Sequence, residues 1–180
     1  SIKTNGKALA EQIGGQIFSD CWGYITLGRI EDAVRLSSMM ASVTHDGEAI
    51  EGAKFVAACI AAAWNKKDIR DVIDTAKTYL NKESNYYALI EEIEDYYDAN
   101  PEDSDKCLAY IEDKYDYKNF EGVCHILPNT AIMLYGMLYG KNSFDETMRL
   151  IAEAGRDTDC NLGNVGSIMG MMLGLEGISE

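Results

Sequence analysis

Two carboxylates two residues apart, followed at once by a thiol and an amide, make Asp157-Thr158-Asp159-Cys160-Asn161 the segment of this chain best equipped for chemistry. A helical pattern ends at Gly155, and another begins just past the pair. Hard oxygen ligands on a tight turn suit a hard divalent ion such as Mg2+. The opening amides of the following helix favour negative charge, so an anionic ligand would also sit well there. The plainer alternative is that Asp157 or Asp159 only caps that helix. Gly163, Gly166, Gly170 and Gly174 then recur on one helical face. Glycine costs roughly 1 kcal/mol relative to alanine inside a helix. Four on one face imply that another backbone comes very close and pins the turn against a core.

Two further stretches could meet a ligand. Gly14-Gly15-Gln16 interrupts a helical pattern. Paired glycines there mark either a helix end or a place where a ligand touches backbone. Thr44-His45-Asp46-Gly47-Glu48 reads as a loop feeding a helix, with Asp46 a candidate cap and His45 one of two histidines.

The elements that must position these residues are helical. Expected helices cover 4–18 (interrupted or ended near Gly14-Gly15), 30–43, 49–64, 68–80, 86–98, 101–114 and 128–139. Another, opened by a Ser143–Glu146 capping box, ends at Gly155, and a last one covers about 161–173. In helix 30–43 the apolar side is Ala33, Val34, Leu36, Met40 and Val43. Asn100-Pro101 reads as a cap and first-turn proline, Pro128-Asn129 starts a helix that Gly140 stops, and 115–127 reads as irregular. With no convincing strand alternation, the expected fold is an all-α orthogonal bundle of about eight or nine helices.

The chain has 180 residues, enough for one domain with a sizeable core, and residues 1–180 read as a single all-α domain. Apolar residues make up 47%, with only 2 prolines. No apolar run is long enough to span a membrane, and no signal peptide is evident. Five cysteines without close pairing read as reduced thiols of a cytoplasmic protein. Thirty acidic against 16 basic residues argue against binding a nucleic-acid backbone. Residues 82–121 hold 13 acidic and 4 basic residues, −9 of the net −14. Their charges interleave with helical apolar positions, which reads as an acidic helical insertion.

Taken together, these stretches resemble the ADP-ribosylglycohydrolases. Gly155-Arg156-Asp157-Thr158-Asp159-Cys160-Asn161, continuing through Val165-Gly166-Ser167-Ile168-Met169-Gly170, is similar to that family's C-terminal metal motif. The segment from Thr44 to Glu48, with Gly52-Ala53 and Val56-Ala57-Ala58, resembles its His loop and the helix after it. Gly14-Gly15-Gln16-Ile17-Phe18 with Trp22-Gly23 looks like its substrate loop, and His125 to Asn129 with Tyr139-Gly140 and Phe144 matches bacterial members.

The resemblance implies an all-α hydrolase with a two-metal centre, usually Mg2+, that cleaves the glycosidic bond at the anomeric carbon of ADP-ribose. It makes Asp157 and Asp159 metal ligands. It places Gly15, Gln16, His45 and Asp46 at the substrate, and it leaves the catalytic acid and base unassigned. At Cys160 the family more often has a threonine whose hydroxyl ligates metal, and a neutral thiol is a poor ligand for Mg2+. The likeness covers roughly the family's C-terminal part. A preceding half with a Thr/Ser-Asp-Asp type motif is not found in this sequence, so the expected partners include that half or a second copy of the chain. The rival reading is a non-catalytic helical module or degenerate fragment that binds ADP-ribose or a partner protein.

Overall fold

The computed structural model describes residues 6–178. The chain order is α1 (Lys7–Ala10), α2 (Gly14–Ile17), α3 (Asp20–Ile25), α4 (Ile30–Ala41), α5 (Glu48–Ala63), α6 (Ile69–Lys77), α7 (Asn85–Ala99) and α8 (Ser104–Lys114). A 3-10 turn at Tyr117–Asn119 follows, then α9 (Ile126–Tyr139), α10 (Phe144–Ala154), α11 (Thr158–Leu173) and a last 3-10 turn at Leu175–Gly177. The all-α expectation holds. Among the described residues the one β-type contact is an isolated antiparallel bridge between Gln12 and His125.

The excess of helices over the expected number comes mainly from the start of the chain. The expected helix 4–18 becomes α1 and α2, and α3 follows them. Thr4 and Asn5 lie outside the described residues. Elsewhere the local signals decide well. Asp68, Ser84, Asp103 and Ser143 each accept a backbone amide of the helix they open. Only half of the Ser143–Glu146 box forms, because the Glu146 carboxylate is drawn to Arg149. The expected helix 101–114 starts instead at Ser104, since Asp103 caps it and Asn100 closes α7. Helix α9 starts two residues before Pro128 because the His125 imidazole accepts from the Leu127 amide.

Two helices form the centre. Every residue of α9 is buried, and α5 is buried along nearly its whole length. Helix α5 packs against α2, α3, α4, α6 and α11, while α9 packs against α7, α8, α10 and α11. Helix α11 therefore bridges both groups. Helix α4 meets α5 through small residues, with Ala33 against Ala57 and Ala61. Its buried face is Ala33, Ser37 and Ala41, so the expected place of Val43 on that side is corrected: it is 75% exposed. Close helix approach selects the alanine face over the bulkier one. The acidic segment is not a satellite, because Tyr86, Leu89, Ile90, Ile93, Cys107 and Ile111 of α7 and α8 belong to the main core.

The glycine face of α11 also needs correction. At about 100° per residue, the row of Gly163, Gly166, Gly170 and Gly174 lies roughly opposite the buried stripe of Asn161, Asn164, Val165, Ile168 and Met172. A methyl group added at Gly163 would meet only the Ile17 side chain at 3.4 Å, and one at Gly174 would meet nothing. No backbone presses on this row among the described residues. The close approaches lie elsewhere, at Gly15 against Ala49 and at Gly140 against Thr147.

What anchors α11 is polar. Gln16 of α2 is fully buried. Its Oε1 accepts from the Tyr86 hydroxyl at 2.8 Å and the Thr130 hydroxyl at 3.3 Å. Its Nε2 donates to Asn164 Oδ1 at 3.3 Å and contacts Met133 Sδ at 2.9 Å. One side chain thus joins α2, α7, α9 and α11. Gln16→Leu keeps the bulk and strands those partners, and each buried group left unpaired costs about 1–3 kcal/mol. Urea unfolding should therefore show a loss of at least about 2 kcal/mol, with helix content in water unchanged. A wild-type midpoint would refute the hub.

Candidate functional site

The turn between α10 and α11 is built from unusual backbone. Gly155 closes α10 at φ +74°, and Arg156 follows at φ +65°. The left-handed region costs a residue with a side chain about 1–2 kcal/mol. Arg156 is held there with its guanidinium 4.9 Å over the Tyr117 ring, a cation–π contact that offsets part of that cost. Asp157 then occupies the capping position of α11, yet its carboxylate makes no cap bond. It accepts instead from the Cys124 thiol at 2.6 Å. The capping alternative thus fails for Asp157: its carboxylate is turned toward Cys124.

Asp157, Asp159 and Cys160 each offer one ligand atom, all within 4.8 Å of one another. Asp157 and Cys160 are half-buried and Asp159 is exposed. Asp159 has no hydrogen-bond or ion-pair partner among the described residues. Burial and the neighbouring Asp157 push the Cys160 thiol up to about 12. The same two causes push Cys124 up to about 11. Both thiols are therefore protonated near neutral pH and are weak nucleophiles. Cys124 is supported from behind, with Asn129 Nδ2 3.4 Å from its sulfur and the Tyr117 hydroxyl donating to Asn129 Oδ1 at 2.6 Å. Asn161 Nδ2 donates to the same Asn129 oxygen at 3.1 Å, while the buried Asn161 Oδ1 has no partner.

The donor set does not match what magnesium takes. Mg2+ wants near-octahedral oxygen at about 2.1 Å, and the described residues converge as two carboxylates and one sulfur. The carboxylates suit any divalent ion, whereas the thiol suits a softer one.

The other expected residues gather nearby. Gly14 and Gly15 carry the His45 ring: a methyl group at Gly14 would lie 3.0 Å from His45 Nε2, and one at Gly15 3.2 Å from its Cγ. Burial lowers the His45 pKa, and its Nδ1 lies 2.8 Å from the Thr44 hydroxyl. Gln16, expected at the substrate, faces the core, and its polar atoms are engaged there. Asp46 accepts from the Gly47 amide at 3.0 Å but does not cap α5. That role falls to Glu11, whose Oε1 accepts from the Glu48 amide at 3.0 Å. Glu48 in turn closes the start of α7, accepting from the amides of Asn85 and Tyr86.

Segment 121–125 ties these parts together. Gln12 clamps it, donating to the Glu121 carbonyl and accepting from the amides of Val123 and Cys124. The Ile13 amide donates to the Cys124 carbonyl at 2.9 Å. Cys124 is thus the junction between the Asp157 turn and the Gly14-Gly15 helix. A cleft of about 520 Å3 opens beside it, lined by Lys7, Glu11, Asp46, Gly47, Phe120 and His125 among others. Asp157, Asp159 and His45 line none of the four cavities described. Cys124, Glu11 and Tyr117 were not singled out from sequence. The available signal was the match beginning at His125, one residue past Cys124.

In this all-helical bundle an aspartate that makes no cap bond, a second carboxylate and a thiol converge at one helix start. Residues 2–180 match the model of the ADP-ribosylglycohydrolase family, and the chain belongs to it. The match runs over essentially the whole chain, including the acidic segment. No curated protein and no solved structure matches the chain.

Glu11 makes a pH test possible. Its Oε2 lies 3.4 Å from His125 Nε2. The hydrogen bond with His125 is the main cause holding its carboxyl below the ordinary glutamate value, burial opposes, and the Glu48 amide assists. A depressed carboxyl contributes stability in full above its ordinary value, and loses it as pH falls through the folded value. The stability advantage of wild type over Glu11→Gln should therefore shrink as pH falls below about 4. Thermal unfolding of both proteins between about pH 6 and 3 reads this directly, and a constant gap would assign the effect elsewhere.

Proposed function

We propose that this protein is an ADP-ribosylglycohydrolase-type hydrolase that cleaves the glycosidic bond at the anomeric carbon of ADP-ribose. The observation that carries the reading is Asp157, placed where a cap belongs but withheld from capping, with Asp159 and Cys160 beside it. Asp157 and Asp159 are the arms for a divalent ion. The resemblance implies a pair of Mg2+ ions, and this chain departs from that donor pattern at Cys160.

Breaking a bond at the anomeric carbon develops positive charge on the sugar. An ion held by Asp157 and Asp159 would orient a water at that carbon, and a carboxylate outside this pair would activate the water or offset the charge on the sugar. Cys124 fixes the Asp157 carboxylate through its S–H bond. The Gly14-Gly15 backbone and the neutral His45 ring form a surface for the ribose, and Asp46 lines the adjoining cleft for the rest of the ligand. Gln16 acts only through the core that holds α2 and α11.

The second reading, a non-catalytic module that binds ADP-ribose or a protein, is favoured by apolar side chains left in solvent. Phe18, just past α2, is 70% exposed, and Ile25, at the end of α3, is 61% exposed. Release of free ADP-ribose from an ADP-ribosylated substrate separates the two. In the hydrolase, Asp157→Asn should lower the rate on the order of 100-fold or more. It should shift unfolding by less than about 1 kcal/mol, because no cap bond is lost and repulsion from Asp159 is relieved. Unchanged turnover in the variant would sink the assignment, and loss of the fold would restore the capping alternative.

A further inference from the structure

We infer that the ion this centre selects is thiophilic, a borderline divalent cation of the Zn2+ class held by Asp157, Asp159 and the Cys160 sulfur in preference to Mg2+. The inference rests on the reading of this turn as a metal centre and adds the identity of the ion.

Geometry supports one ion on three donors. Ligand atoms bound to a common tetrahedral zinc sit about 2.0–2.3 Å from it, and so about 3.3–3.8 Å from one another. The donor atoms of Asp157, Asp159 and Cys160 all lie within 4.8 Å of one another before any ion draws them in. They come from one turn, so small side-chain rotations close the gap. Three protein donors with a fourth position open is the arrangement of a reactive tetrahedral zinc site.

Donor chemistry selects the class. Mg2+ sheds water reluctantly and prefers oxygen, whereas thiolate ligands favour softer cations. A centre meant for magnesium alone gains nothing from sulfur at this position. As the ion binds, the Cys160 proton is displaced to bulk water and the sulfur–metal bond replaces the S–H bond.

The surroundings point the same way. Asp157 is held by a second thiol, Cys124 at 2.6 Å, which is itself contacted by Asn129. Such outer partners orient a metal-binding carboxylate. Asn161, next to Cys160, is fully buried in the same network through Asn129, and its Oδ1 finds no partner among the described residues. A buried amide oxygen left open is costly, and this one belongs to the residue after Cys160, whose own backbone amide donates to the Asp157 carbonyl at 3.0 Å.

The test uses the reduced, metal-stripped full chain with Co2+ as a spectroscopic stand-in for zinc, beside calorimetric titrations with Zn2+ and Mg2+. Expected is a near-ultraviolet sulfur-to-cobalt charge-transfer band that Zn2+ abolishes by displacement and Mg2+ does not. Cys160→Ser should remove the band and weaken Zn2+ on the order of 100-fold, leaving Mg2+ binding unchanged or stronger. Cys124→Ser should keep the band and weaken Zn2+ by no more than about 10-fold. A wild-type chain without the band, or Cys160→Ser binding Zn2+ as tightly as wild type, overturns the inference. Asp157→Asn separates the two claims. If it weakens divalent binding while Cys160→Ser does not, the metal centre stands and the thiophilic preference falls. If no divalent ion binds wild type, or Asp157→Asn binds as wild type does, both fall.

Discussion

A polar group taken out of water must find a partner inside the protein, and in this chain that constraint converges on Gln16. Its amide is fully buried among α2, α7, α9 and α11, and both ends are engaged. Apolar packing alone would let these helices slide, since one aliphatic contact is much like the next. A directional bond from each helix to one side chain sets their register. Asn164 extends the network outward, donating to Asp20 at 2.6 Å, and Ser167 donates to the other Asp20 oxygen at 2.6 Å. Burial raises the Asp20 carboxyl, and these two bonds oppose the shift. The first turns of α11, where the reactive residues begin, thus take their position from a core that contains no reactive residue.

The second constraint acts on loops. Segment 121–125 has no regular structure of its own, so its backbone groups need outside partners. Gln12 and Ile13 supply them. That makes Cys124 a fixed point, and it holds the Asp157 carboxylate away from the helix amides it would otherwise cap. Gly155 and Arg156 in left-handed backbone, with Arg156 stacked on Tyr117, bring the turn to meet it. Strained backbone that survives only because its surroundings hold it is common at working sites.

Sequence reading recovered what is local. The ranges expected for α6 and α7 and the Ser143 cap rest on signals within a few residues, and the observed helices follow them closely. His45 lies against Gly14-Gly15, and Asp157, Asp159 and Cys160 converge at the start of α11. What was not legible depends on long-range contacts. The family resemblance places Gln16 at the substrate, and only its distant partners show it to be a core hub. His125 was not recognisable as a cap, since an imidazole in that role has no sequence rule. The glycines of α11 showed a periodicity, but periodicity does not say which side of a helix faces inward. The stripe of Val165, Ile168 and Met172 decided that, because burying those side chains outweighs the packing of a bare glycine face.

Charge sets the remaining problem. Under the proposed reading the ligand carries a diphosphate, and the chain carries a net charge of −14. Much of that charge sits on residues 82–121, away from the turn in sequence, and part of it is paired there: Glu94 lies between Arg70 and Lys77, and Glu92 meets Lys114. At the turn itself the fixed positive elements are Arg156, stacked on Tyr117, and the first amides of α11. The cleft adds Lys7 but also Glu11, Asp46 and Glu121. Two uncompensated carboxylates within a few ångströms would repel such a ligand. Under the same reading, a divalent ion between Asp157 and Asp159 would cancel their charge where the ribose approaches, leaving the diphosphate to Arg156 and the helix start. Under the proposed reading, a cation at the turn would reconcile its acidity with an anionic ligand, so the same ion would serve binding as well as chemistry.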